Sequence, residues 1–178
     1  FANLGAAYQG RGRLLDEWLE LAASVFEQMP GRVRYQGRAF SLDGWMAPAL
    51  VRRGGPELWV AGVSRATLRR AAVTGVWHPV ALPPDELAGM AAELRGRRRD
   101  SRVVLRIGVY FEPEPLRHDD ERGRHAVSGP PEWVAARLRD YVDAGADGFV
   151  VNLDHREPGL GERLGRFAEE VMPLIRGR

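Results

Sequence analysis

Two strand ends in this chain carry residues whose types and spacing suit chemistry. In "WVAGVSRATLRRAA", Trp59 to Ala72, an apolar run passes through Ala61 and stops at Gly62, and Ser64 opens an arginine-bearing amphipathic helix. Gly62 lets another group approach the backbone closely. Ser64 is a good helix cap, and the first-turn N–H groups of Val63, Ser64 and Arg65 can face an anion. Arg65 adds charge-assisted contacts. The plainer reading makes Ser64 a helix cap and nothing more. In "VWHP", Trp77 and His78 fall near the end of a second apolar run. The histidine can donate a hydrogen bond or a proton near neutral pH; the plainer reading is a packed tryptophan beside a surface histidine.

Other polar residues compete for attention. Asn152, Asp154 and His155 end the last apolar run in "VVNLDHREPG". The first two share a face by strand alternation. An Asp–His pair invites a metal or acid–base reading, but two residues are too few for a metal site and turn chemistry explains them. Tyr110 and Glu112 end another strand on a common face. His118 and His125 stand in an acidic loop with Asp119, Asp120 and Glu121, which reads as a solvated segment. Arg11, Arg13, Asp16 and Glu17 pair adequately along one helix.

The elements that must position these residues follow from periodicity. Strands are predicted around 57–61, 76–80, 102–111 and 148–153, and helices over most of 12–28, 64–73, 84–96, 131–144 and 160–175. "GRVRYQGRAFSL" alternates as a hairpin should, and "DGWMAPALVRRGGP" reads as a loop. Leu14, Leu15, Trp18, Ala22, Val25, Phe26 and Met29 form one apolar face, Leu160, Leu164, Phe167, Val171 and Leu174 form one stripe, and Val134, Leu138, Tyr141 and Val142 are expected to face inward. The run Val103, Val104, Leu105, Ile107, Val109 suits a strand buried on both faces. Strand and helix alternate four times, which favours a parallel sheet or a barrel with helices outside. The segment 113–131 is long for a loop in a compact domain and reads as a lid.

Composition narrows the class. With 178 residues, 44% of them hydrophobic, the chain is expected to be one domain with a packed core. It has no cysteine, which excludes disulfides and thiolate metal sites. No apolar run approaches the roughly 18 residues of a membrane span, and no signal peptide precedes the first helix, so the expected compartment is the cytoplasm. All 26 basic residues are arginine, against 24 acids, for a net charge of +2; the isoelectric point near 9.5 reflects arginine's high pKa. The one dense cluster, "RGRRRD" at Arg95–Asp100, follows a helix, where cations favour the C-terminal dipole. No nucleic-acid and no membrane partner is therefore expected.

Taken in order, "FANLGAAYQGRGRLLDEWLEL", "VRYQGRAFSL", "PELWVAGVSRATLRRAAVTGVWHP", "GPPEWVAARLRDYVDAGADGFVV" and "RFAEEVMPLIR" resemble the C-terminal part of the luciferase-like flavin monooxygenases, especially the group dependent on the deazaflavin coenzyme F-420. The resemblance implies an α/β fold of the (β/α)8 TIM-barrel family. Such barrels need about 250 residues, so this chain is expected to hold the last four β/α units as one domain over residues 1–178, with the upstream half missing. Where the family more often has Asp-Gly before the tryptophan, Gly75-Val76 stands here, and no role of that aspartate carries over. The resemblance implies a cofactor phosphate held at Ala61, Gly62, Val63, Ser64 and Arg65, with Trp77 walling a flavin pocket and His78 beside it. It implies hydride transfer between a small organic substrate and coenzyme F-420, or FMN as the alternative. The rival reading is a cofactor-free half-barrel with a structural or partner-binding role, and a homodimer stays open.

Overall fold

The computed structural model describes residue 3 and residues 8–80, 82–115, 126–153 and 159–176. These fall into two compact units, Phe1–Glu57 and Leu58–Arg178.

The first unit holds helix α1 (Arg11–Gln28) and an antiparallel hairpin, β1 (Gly31–Gln36) and β2 (Ser41–Met46). The hairpin was legible, but its second strand runs on through Asp43-Gly44-Trp45-Met46, a stretch expected to be loop. Asp43 explains the extension: it sits opposite Arg34 in the register and takes a two-pronged hydrogen bond from Arg32, at 2.7 and 3.0 Å. That contact, foremost the side-chain hydrogen bond from Arg32, holds the Asp43 carboxyl below its ordinary pKa. Helix and hairpin are laced by polar contacts. Gln28 donates to the Arg34 carbonyl and accepts from the Arg34 amide. The Glu17 carboxylate accepts from the amides of Ala39 and Phe40, both at 2.8 Å. These bonds, that from Phe40 first, lower the Glu17 pKa. A Cβ at position 37 would crowd the Glu17 carboxylate, which would have to shift. Leu19 and Ala22 are buried, whereas Leu14, Leu15 and Trp18 of the apolar face are exposed.

The second unit is an α/β layer. Strands β3 (Trp59–Ala61), β4 (Val76–His78), β5 (Arg102–Phe111), β6 (Ala126–Gly129) and β7 (Gly148–Leu153) form one five-stranded sheet, and every pairing is parallel. The central strand β5 bonds to β4 near its start, to β6 near its end and to β7 in between. Strand β4 is shorter than expected. It ends at His78, before Pro79, and contact resumes as a single parallel bridge between Val80 and Arg106. Strand β6 was not anticipated, because its four residues, AVSG, carry little apolar signal and lie inside the stretch expected to be one long loop. The centre of that loop, with His118, Asp119, Asp120, Glu121 and His125, lies outside the described residues.

Helices α2 (Arg65–Thr74), α3 (Pro84–Arg97) and α4 (Pro131–Asp143) connect these strands. Each boundary has a local cause. Ser64 caps α2, which stops at Gly75 in the left-handed conformation (φ 89°) with its amide on Ala71 O. Helices α3 and α4 each begin with a proline in the first turn, where the missing N–H costs nothing. The predicted last helix is α5 (Leu160–Arg166) and α6 (Met172–Arg176) joined through a π-helical turn, Phe167–Val171. Leu160, Leu164 and Leu174 are exposed there and only Val171 is fully buried, and Val142 of α4 also faces outward. The core lies between β-sheet and helices: Leu68, Trp77, Leu87, Leu94, Val103, Leu105, Ile107, Val109, Val134 and Leu138 are at most 1% exposed. No described helix is long and apolar enough to cross a membrane.

Candidate functional site

The turn between β3 and α2 is built around a strained glycine. Gly62 has φ +117°, and a Cβ there would stand 2.9 Å from Thr67 Oγ1. The conformation and the crowding each demand glycine. The glycine is therefore fixed by the turn itself, beyond any need for a ligand to approach. Ser64 then does what its position implies. Its Oγ accepts from the Thr67 amide at 3.1 Å and lies 3.0 Å from Thr67 Oγ1. With the hydroxyl committed to the cap, the groups left to meet an anion are main-chain amides. Those of Arg65 and Ala66 have no intrahelical acceptor, as first-turn amides must not, and the helix dipole adds a favourable field. Ala61, Val63, Ser64 and Arg65 are exposed and Gly62 is half-buried. The turn is thus exposed and rich in donors, as an anion site requires.

Strand β4 serves this turn from behind. Trp77 is wholly buried, in register with Val60 and Val103 on the helix-covered side. Its Nε1–H donates to the Gly62 carbonyl at 2.7 Å. Trp77 therefore braces the turn from within the core.

His78 projects to the opposite side of the sheet. Its Nδ1 lies 2.6 Å from the Val104 carbonyl. A carbonyl only accepts, so Nδ1 carries the proton and Nε2 is left as the working nitrogen. The ring stands 5.3 Å from the Trp59 ring, tilted by 53°. By register the same face carries Val104, Arg106, Gly108 and Tyr110 of β5, with Val150 and Asn152 of β7 beside Arg106 and Gly108. Asn152 is thus placed on the His78 face, while Asp154 and His155 lie outside the described residues. Among the described residues no group of three or more potential ligands could hold a metal ion. Glu112 follows β5, its amide bonded to Gly129 O.

Arg106 escaped the reading of the sequence. Its signal was present as the one charge within "VVLRIGVYF", where a strand buried on both faces should be apolar. Three arginines of the dense "RGRRRD" cluster make contacts within the second unit. Arg95 binds Asp147 and Gly145 O, Arg97 binds Glu93, and Arg98 binds Asp100 while donating to Val73 O at the end of α2.

A parallel sheet with connecting helices on one side and polar groups at its strand ends is part of a β/α barrel. The model of the luciferase-like monooxygenase family matches residues 1–115, more than half of the chain, and the chain belongs to that family. Among solved structures it is similar to the EDTA monooxygenase from Chelativorans sp. BNC1 (20% identity, TM-score 0.73, covering 99% of this chain and 62% of that one). It is similar also to a riboflavin lyase with modified FMN and riboflavin (15%, 0.75, 99% and 60%). A third is the coenzyme F420 dependent tetrahydromethanopterin reductase from Methanopyrus kandleri (12%, 0.72, 93% and 64%). At these identities the likeness is one of fold, and the chain spans about 60% of the length of the first two.

Proposed function

We propose that this chain is the cofactor-phosphate-holding part of a flavin- or deazaflavin-dependent oxidoreductase that acts on a small organic substrate. The observation that carries the reading is the β3–α2 turn: unpaired first-turn amides on an exposed turn locked by Gly62, Thr67 and Trp77. Coenzyme F-420 is the proposed cofactor, with FMN as the alternative, since structural neighbours name both and either presents a phosphate. Bound there, such a group supplies redox chemistry by exchanging a hydride.

The chain's own residues then have separable tasks. The amides of Val63 to Ala66 bind the phosphate, and the Arg65 guanidinium supplements them. Ser64 holds the helix start in place through its cap. His78, fixed by Val104 O, presents Nε2 to the open sheet face, where it accepts a proton or, once protonated, returns it. Trp59 lies against the His78 ring and limits its access to water.

The test uses proline chemistry. Arg65 is the first helical residue, where proline is well tolerated. Ser64, at φ −90° and ψ 158°, already has the conformation that a residue before proline prefers. Arg65→Pro thus deletes one amide donor and leaves the helix intact, while Arg65→Ala removes only the side chain. Titration of the full-length protein with F-420 and with FMN, followed by fluorescence, should show about tenfold weaker binding for the proline variant and a smaller loss for the alanine variant. Unchanged affinity for both cofactors in a folded Arg65→Pro protein would overturn the assignment.

A further inference from the structure

Arg106 has an unusual setting. It lies mid-strand in β5, on the face that carries His78, and its neighbours across the sheet are Val80 on one side and Val150 on the other. Parallel strands are normally apolar through their middle, and a charge placed there is normally paired. The arginines of the cluster after α3 have carboxylate partners, whereas among the described residues none ion-pairs with Arg106. The guanidinium is exposed on its face and flanked by apolar surface. Two residues further along, Gly108 leaves the face without a side chain, and Asn152 stands beside it. Tyr110 follows, about 13 Å along the strand from Arg106. Diagonal neighbours in a sheet are about 7–8 Å apart, which puts His78, two positions before Val80 on β4, within a small molecule's reach of Arg106.

A planar guanidinium among valines is suited to a carboxylate, which it can hold with two parallel hydrogen bonds. Gly108 adds no side chain to this face, Asn152 beside it offers a hydrogen-bonding edge, and His78 Nε2 lies alongside. We infer that this sheet face binds a carboxylate-bearing organic substrate, with Arg106 as the residue that selects for the negative charge. The inference rests on the proposed function for the identity of this face as the substrate side, and it adds the substrate class.

The experiment needs no cofactor, so it stands or falls separately from the phosphate-turn assignment. Benzoate and benzamide are near-isosteric, and only the first is an anion. Calorimetric titration of the full-length protein should show benzoate binding about tenfold or more tightly than benzamide, the scale of a charge-assisted hydrogen bond. Arg106→Gln should erase that preference and Arg106→Lys should keep part of it. Equal binding of the two probes by the unaltered protein would overturn the inference, as would a preference that survives in folded Arg106→Gln. Should circular dichroism show that the glutamine variant does not fold, nitrogen-15 spectra of the arginine Nε–H groups decide the matter. Benzoate must then move one resonance that is missing from the Arg106→Lys spectrum, and failure to move it refutes the inference.

Discussion

Replacing Trp77 with phenylalanine separates bracing from mere packing. The indole is completely buried and its N–H meets the half-buried Gly62 carbonyl at 2.7 Å. Losing that bond costs about 0.5–1.5 kcal/mol, towards the lower end because water can reach the half-buried acceptor. Shrinking indole to phenyl removes roughly two methylene equivalents of buried surface, at about 0.8 kcal/mol each. The expected destabilisation is therefore about 2–3 kcal/mol, which for a chain of this size lowers Tm by roughly 4–12 °C. Leu138→Ala is the control: Leu138 is equally buried but lies on α4, and its truncation costs a similar or larger amount, about 2–5 kcal/mol. Thermal melts followed by circular dichroism measure both, and fluorescence titration gives the affinity for F-420 and FMN. Trp77→Phe should weaken cofactor binding several-fold while Leu138→Ala leaves it unchanged at a temperature where both are folded. Equal affinities in the two variants would refute the bracing role and reduce Trp77 to core filler.

Two further outcomes follow from the same coordinates. Gly62→Ala should lower stability by about 1 kcal/mol or more, because its φ of +117° and the Thr67 hydroxyl at 2.9 Å both oppose a Cβ; a melt indistinguishable from the parent's would contradict this. Glu17 has a pKa lowered chiefly by the Phe40 amide from a usual 4.5, so its contribution is complete above that value and is lost as pH falls through the lower, folded pKa. Acid melts of Glu17→Gln should therefore depend less on pH below 4.5 than those of the parent, and parallel curves would show that the carboxylate charge is irrelevant to the hairpin.

What the sequence disclosed was periodicity and punctuation. The alternation of apolar runs with amphipathic segments located α1 to α4 and strands β3, β4, β5 and β7, because burial against one partner imposes a period on each. Ser64 announced the start of α2 through chemistry local to it. Strand β6 was hidden because its pairing partner, Gly108–Phe111, is distant in sequence and its own residues lack pattern. The outward turn of Leu14, Leu15 and Trp18 was hidden for a related reason: a stripe at helical spacing reveals which residues share a face, and not what covers it. At the site, the cap was readable from Ser64 alone, but the brace was not, since the Trp77–Gly62 bond joins residues fifteen apart. Arg106 was readable in principle, as a charge where the strand's own pattern called for an apolar residue.

The three residues of β4 show how little backbone the site requires. Side chains alternate along a strand, so adjacent Trp77 and His78 must face opposite ways. Trp77 enters the helix-covered core and fixes the carbonyl of Gly62 from beneath. His78 emerges on the other face, where Val104 O sets its tautomer and Trp59 flanks its ring. The turn that would hold a phosphate and the imidazole that would handle a proton are thus referred to the same short strand. The strand is in turn held by parallel pairing to Trp59–Ala61 on one side and to Arg102–Val103 on the other. A one-residue slip of β4 would place the indole on the open face and the imidazole in the core, disabling both tasks at once. The complete burial of Trp77 opposes that slip: exposing the indole and burying the imidazole would surrender a large apolar contact and leave a polar ring without its partner. Packing on one face of β4 therefore secures the chemistry on the other.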